Sequence, residues 1–135
     1  MITVEQYFGQ YAGRPEITQK LTDSAALLLA AVNTLLDRAS ADGVTLYTNP
    51  HTSSKISGQM NGGWRPRNCP IGASDSSHKQ ARGIDIYDPL NAIDRWITDV
   101  ILTEFDVYRE APEYTTNWCH LTNRPPKSQL RTFLP

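Results

Sequence analysis

Leu21, Ala25, Leu28, Leu29, Val32, Leu35 and Leu36 recur at steps of three and four residues. That spacing lines them up on one face of an α-helix, leaving the other faces polar. It predicts a helix from Thr18 to Ala41. Thr18 or Thr22 caps its start, and Asp42-Gly43 ends it, because glycine tolerates the left-handed geometry of a helix terminus. One amphipathic helix buries its stripe only against another layer, so the rest of the chain has to supply that layer.

The later segments read as short strands and one further helix. Val44–Thr48 alternates and carries β-branched residues, which predicts a strand. Asn49–Ser57 reads as loop. Gln59–Arg65 reads as a second strand, weakened by Gly62-Gly63. Pro66–Ser76 is again loop, and Gly83–Tyr87 is a strand with Ile84 and Ile86 on one side and Asp85 on the other. Asp88-Pro89 opens a second helix, in which Leu90, Ile93, Trp96, Ile97, Val100, Ile101 and Phe105 keep helical spacing. Trp118–Leu121 closes the pattern as a last strand. Residues 1–16 form an N-terminal arm whose Tyr7, Phe8 and Tyr11 pack on the body, and residues 123–135 an extended tail. The order predicts one α+β domain over 1–135, with a small, mostly antiparallel sheet against an N-terminal and a middle helix.

Composition narrows the function. Hydrophobic residues make up 39% and charged residues 20%, as in a globular chain, and the net charge is −1. That balance gives no sign of a nucleic-acid or anionic-membrane partner. The longest apolar run, Ala25–Val32, falls far short of the roughly 20 residues that span a bilayer. The start, Met1-Ile2-Thr3-Val4-Glu5, lacks the basic region and apolar stretch of a signal peptide, so synthesis in the cytoplasm is expected. Two cysteines, Cys69 and Cys119, are too few for a disulfide scaffold. They read as two reduced buried thiols, with a disulfide or a thiolate ligand as alternatives.

Three residues suggest chemistry. His78 precedes the Gly83–Tyr87 strand, Asp85 lies on it, and His120 lies in the last strand. Two imidazoles and a carboxylate suit Zn²⁺, and a catalytic zinc takes three protein ligands plus one open position. Each residue also has an ordinary role. His78 can be polar surface, and His120 a hydrogen-bonded core histidine. Asp85, flanked by isoleucines, needs a partner if buried, and Arg65 or Arg82 would serve as well as a metal. A metal-free core cluster of the three is a further reading. His51 sits in a polar loop and is expected to be exposed.

Ser76-Ser77-His78-Lys79-Gln80-Ala81-Arg82-Gly83-Ile84-Asp85 resembles the SxHxxGxAxD motif of the D-alanyl-D-alanine carboxypeptidase family of zinc peptidases. Gly62-Gly63-Trp64-Arg65-Pro66 is similar to that family's segment ending in a substrate-binding arginine. Trp118-Cys119-His120 resembles its late strand carrying the third ligand, and Val32-Asn33 with Leu35-Leu36 its N-terminal helix. The likeness covers roughly residues 20–122 and is nearest to small phage and prophage members. It implies a hedgehog/D,D-peptidase-like fold and Zn²⁺ on His78, Asp85 and His120. Arg65 and Ser76 are then substrate-binding. The substrate implied is a peptidoglycan stem peptide, in a phage-associated protein that is released at lysis or carried on the virion.

Two departures bear on activity. The motif's glycine is Ala81 here and its alanine is Gly83, a swap of small residues that still permits close packing. The carboxylate that many members carry three residues before the last histidine, as general base, is Asn117, and an amide takes no proton near neutral pH. Glu113, Glu110 or Asp106 would have to serve, and Glu113 is nearest in sequence. Arg65 is the natural group for a peptide carboxylate or a developing oxyanion, because a guanidinium forms paired bonds to such groups. It reads equally as an ion pair holding its loop. If no carboxylate serves as base, the chain is a metal-binding phage structural or binding protein that keeps the zinc-peptidase fold.

Overall fold

The computed structural model describes residues 1–135 as a small α+β fold. The helix expected from the leucine stripe is α2, Gln19–Ala41, with the Thr18 hydroxyl accepting from the Leu21 N–H as its cap. Ala25, Leu28, Leu29, Val32, Leu35, Leu36 and Ala39 are buried along it. Before it, α1 covers Val4–Phe8 and runs into a 3₁₀ turn at Gly9–Tyr11. Its Tyr7, Phe8 and Tyr11 are buried, as expected of the N-terminal arm. The side chain of Asn33 on α2 clamps the backbone of Ile2 from both sides, with Ile2 N–H to Oδ1 at 2.8 Å and Nδ2 to Ile2 O at 2.9 Å.

The sheet has four strands in the order β1-β3-β2-β4: β1 Gly83–Tyr87, β2 Tyr108–Glu110, β3 Trp118–Thr122 and β4 Thr132–Phe133. The first three pair antiparallel and β4 joins β2 in parallel. Ile84, Ile86, Cys119 and Leu121 face the core that α1 and α2 cover from the other side. Asp85 and His120 alternate with them and face away, as the two-residue period of a strand requires.

Several expected elements differ. Val44–Thr48 and Gln59–Arg65 are not strands. The region instead forms two isolated bridges, Asn49 with Ser54 and Ile56 with Ile86. Lys55, Ser57 and Gly62 do hydrogen-bond the outer edge of β1, through Tyr87 N–H to Lys55 O, Ser57 N–H to Asp85 O and Asp85 N–H to Gly62 O. The edge is therefore covered by irregular chain rather than extended by a strand.

The middle helix is two helices, α3 Ala92–Trp96 and α4 Asp99–Glu104. Ile97 is extended at ψ 133°, and the Thr98 hydroxyl accepts from the Ile101 N–H to start α4 afresh. The apolar spacing continues across the break, so periodicity alone does not reveal it. Asp88 still acts at the start, its carboxylate accepting from the N–H groups of Ile93 and Asp94. The tail is not merely extended. Its β4 returns to the sheet, with Arg109 N–H to Arg131 O and Ala111 N–H to Phe133 O.

Candidate metal centre

His78, Asp85 and His120 come together, each offering one ligand atom, with those atoms all within 4.8 Å of one another. Asp85 and His120 are register partners across β1 and β3. His78 arrives from the 3₁₀ turn Ser77–Gln80, which packs beside the start of β1. Ser76 caps that turn, its hydroxyl accepting from the His78 N–H at 3.3 Å. Gly83 is what lets the turn sit so close. A Cβ there would lie 2.2 Å from Ser77 Oγ. Ala81, where the motif has glycine, takes a left-handed conformation at φ 54°. The swap of small residues therefore has a physical cost at 81 and a steric reason at 83.

The donor set is one that could hold a metal ion. His78 Nδ1 lies 2.7 Å from the Gly63 carbonyl and donates to it, which turns Nε2 toward Asp85, 3.3 Å from its Oδ1. A ligating histidine characteristically has its second nitrogen held this way. Gly63 is itself packed tightly, since a Cβ there would fall 2.0 Å from the Tyr7 carbonyl oxygen. His120 Nδ1 lies 2.8 Å from the same Asp85 Oδ1. Four ligands at 2.0–2.1 Å around tetrahedral zinc stand roughly 3.3 Å apart. The His78–Asp85 contact already has that separation, the His120–Asp85 contact would have to open by about 0.5 Å, and all three ligand atoms lie within 4.8 Å of one another.

Asp85 is held from behind. Its Oδ2 accepts from Arg65 Nη2 at 3.2 Å, which leaves Oδ1 for the two imidazoles. Arg65 is buried, and also donates from Nε to Asn61 O at 2.7 Å and from Nη1 to Ile71 O at 3.4 Å. The ion-pair reading of Arg65 is therefore present in the fold. The other arginine considered as a partner, Arg82, turns away to Asn123. Burial pushes the Asp85 carboxyl up, but the charge and hydrogen bonds of His78 and His120 outweigh it, so the group lies well below the usual carboxylate range.

The cluster lies on one wall of a cleft of about 600 Å³, which Arg65, Ser76, His78, Asp85, Glu110 and His120 help to line. A smaller recess of about 400 Å³ shares Arg65, Asp85 and Trp118 with it and runs along the Ser57–Gly62 loop. Glu113, the expected base, is exposed on the 3₁₀ turn Pro112–Tyr114 and does not line the cleft. The structure thus does not bring Glu113 to the cluster. The antiparallel return of β2 onto β3 brings Glu110, rather than Glu113, alongside His120. Asn117 is likewise exposed, in the turn ahead of β3, with its N–H bonded to Asn91 Oδ1. Asp106 is exposed and pairs with Arg131. Burial lifts the Glu110 carboxyl above its ordinary value; His120 lowers it in part and the Asp85 charge adds to the rise.

Cys69 and Cys119 are both free and buried, and neither belongs to the ligand cluster. His51 is exposed, as expected. Phe133, which the sequence did not single out, packs edge-on to His120 with ring centroids 6.3 Å apart. The only signal for it was the β-branched and aromatic run Arg131-Thr132-Phe133-Leu134, too short to carry a period.

The fold and the site together define a small α+β domain with a three-residue cluster able to hold a metal ion. No family model, no curated protein and no solved structure matches this chain. No helix is long and apolar enough to cross a membrane.

Proposed function

We propose that this chain is a zinc-dependent peptidase, phage-associated, that hydrolyses peptide bonds of peptidoglycan stem peptides in the manner of D,D-carboxypeptidases or endopeptidases. The observation that carries the reading is the convergence of two imidazole nitrogens and one carboxylate oxygen in the wall of a cleft. His78, Asp85 and His120 would hold the ion, with Gly63 O and Arg65 orienting two of them. A zinc ion so held would polarise a carbonyl and lower the pKa of a bound water toward about 7.

The chain's own groups then have definite tasks. The tight packing of Gly63 and Gly83 fixes His78, so its ring is not free to rotate away. Arg65 aims Asp85 through its bond to Oδ2, and as a cleft-lining guanidinium it has further N–H groups for a substrate carboxylate or oxyanion. Ser76 holds the turn that presents His78 and borders the same space. The stem-peptide substrate is supported by the likeness of the Ser76–Asp85 and Trp118–His120 segments to the D-alanyl-D-alanine carboxypeptidase family.

The second reading, a metal-binding phage protein without turnover, is favoured by Asn117 at the position of the family's base. Purified peptidoglycan separates the two. The peptidase reading expects release of stem-peptide fragments by the wild type and none by His120→Ala. Equal, background-level release from both proteins, with zinc bound to the wild type, would leave the binding module as the better account.

A further inference from the structure

The pairing of β2 with β3 runs Tyr108 opposite Thr122 and Arg109 opposite Leu121. One step further along the same register sets Glu110 opposite His120. His120 in turn pairs with Asp85 on β1, and Glu110 with Phe133 on β4. Asp85, His120, Glu110 and Phe133 therefore form one row across all four strands. All four line the same cleft. Directly opposed residues on one sheet face have Cβ atoms about 4.5–5.5 Å apart. Glu110 is half-buried, and its carboxylate stands outside the cluster of three ligand atoms. It lies beside the cluster residues without being one of them and lines the same cleft.

We propose that Glu110 is the general base of this site, in the place that the sequence motif assigns to residue 117. The inference rests on the reading of the cluster as a hydrolytic metal centre. In the step it performs, the Glu110 carboxylate accepts a proton from the attacking water as the water oxygen bonds to the carbonyl carbon. The same proton then passes to the leaving amine nitrogen as the C–N bond breaks. One water is consumed, two fragments are released, and the carboxylate returns to its starting form, with no oxidant or reductant needed. Phe133 beyond it and the His120 ring on the other side restrict where the Glu110 side chain can lie.

The test compares wild type, Glu110→Gln and Glu113→Gln, with two readouts. The first is zinc affinity, by competition with a chromogenic chelator. The second is kcat and KM on a stem peptide and on p-nitrophenyl acetate, an activated ester that needs no peptide recognition. The proposal expects Glu110→Gln to keep zinc affinity and KM while kcat falls about 10²–10⁴-fold on whichever substrate the wild type cleaves. Unchanged kcat in Glu110→Gln overturns it, and so does loss in Glu113→Gln alone. Zinc affinity weakened about 10-fold or more in Glu110→Gln overturns it too, because the residue would then be acting as a ligand. Ester cleavage without peptide cleavage in the wild type refutes the stem-peptide reading while the ester rates still judge Glu110. A zinc-loaded wild type that cleaves neither substrate overturns both.

Discussion

Removing the charge of Asp85 should cost the metal-free protein more stability than any other single change at the site. The Arg65–Asp85 pair is 3.2 Å apart, with side chains 10% and 14% exposed. In Asp85→Asn the guanidinium stays buried against the carbonyl oxygens of Asn61 and Ile71 and loses its counter-charge. Breaking one partner of a buried pair costs about 3–5 kcal/mol, and the slight exposure favours the lower end. Against a total of roughly 5–15 kcal/mol for a domain, that is a large fraction. Arg65→Met should cost less, about 1–3 kcal/mol, because Asp85 keeps two imidazole partners. The double variant should then cost less than the two singles summed. Groups in one network couple by about 0.5–3 kcal/mol, and this pair belongs in the upper half of that range. Urea unfolding in EDTA at pH 7, followed by circular dichroism and tryptophan fluorescence, measures all four corners of the cycle. Costs that add within about 0.5 kcal/mol would refute the coupling. The same reasoning makes Arg65 a positioning residue for a ligand, so Arg65→Met should also weaken zinc binding by about 10–100-fold.

Two further outcomes test the packing and the electrostatics. Gly83→Ala should destabilise by about 1–3 kcal/mol through overpacking against Ser77 Oγ, and Ser77→Gly in the same chain should recover part of the loss on thermal melting. Asp94 is buried beside Arg109, Asp88, Thr115 and Cys119, and burial raises its carboxyl above the ordinary value despite the Cys119 and Arg109 contributions. A raised folded pKa gives stability that is complete below the unfolded value near 4 and is lost as pH rises through the folded one. Urea midpoints measured from pH 4 upward should therefore decline less steeply in Asp94→Asn than in the wild type; parallel slopes would contradict this.

The long helix was readable because seven apolar residues kept one period over about four turns. β1 was readable for the complementary reason, since Ile84 and Ile86 flank a residue that has to face elsewhere. Residue chemistry offered His78, Asp85 and His120 as one possible metal set, the family likeness singled it out, and the register of β1 on β3 brings Asp85 and His120 together. The position of Glu110 beside the cluster was not legible. Glu110 lies in a three-residue strand with no period of its own, and its place beside His120 depends on a pairing 10 residues apart that sequence proximity to Glu113 obscured. The break between α3 and α4 was hidden because Ile97 is apolar at the right spacing while its backbone is extended. The Gln59–Arg65 segment does run against the β1 edge, through Asp85 N–H to Gly62 O, yet Gly62 and Gly63 pack closely on Ser57, Ile56 and Tyr7 and the segment forms no regular strand. The role of the tail was missed because two residues of β4 suffice to return Phe133 to the His120 ring.

The central claim is that two imidazoles and one carboxylate share a single divalent ion. Zinc content after exhaustic dialysis, measured by elemental analysis on wild type, His78→Ala, Asp85→Ala and His120→Ala, tests it most directly. The account predicts one zinc per wild-type chain and loss of that zinc in each variant. A wild type that retains no zinc, or a His120→Ala protein that retains it in full, would contradict the account.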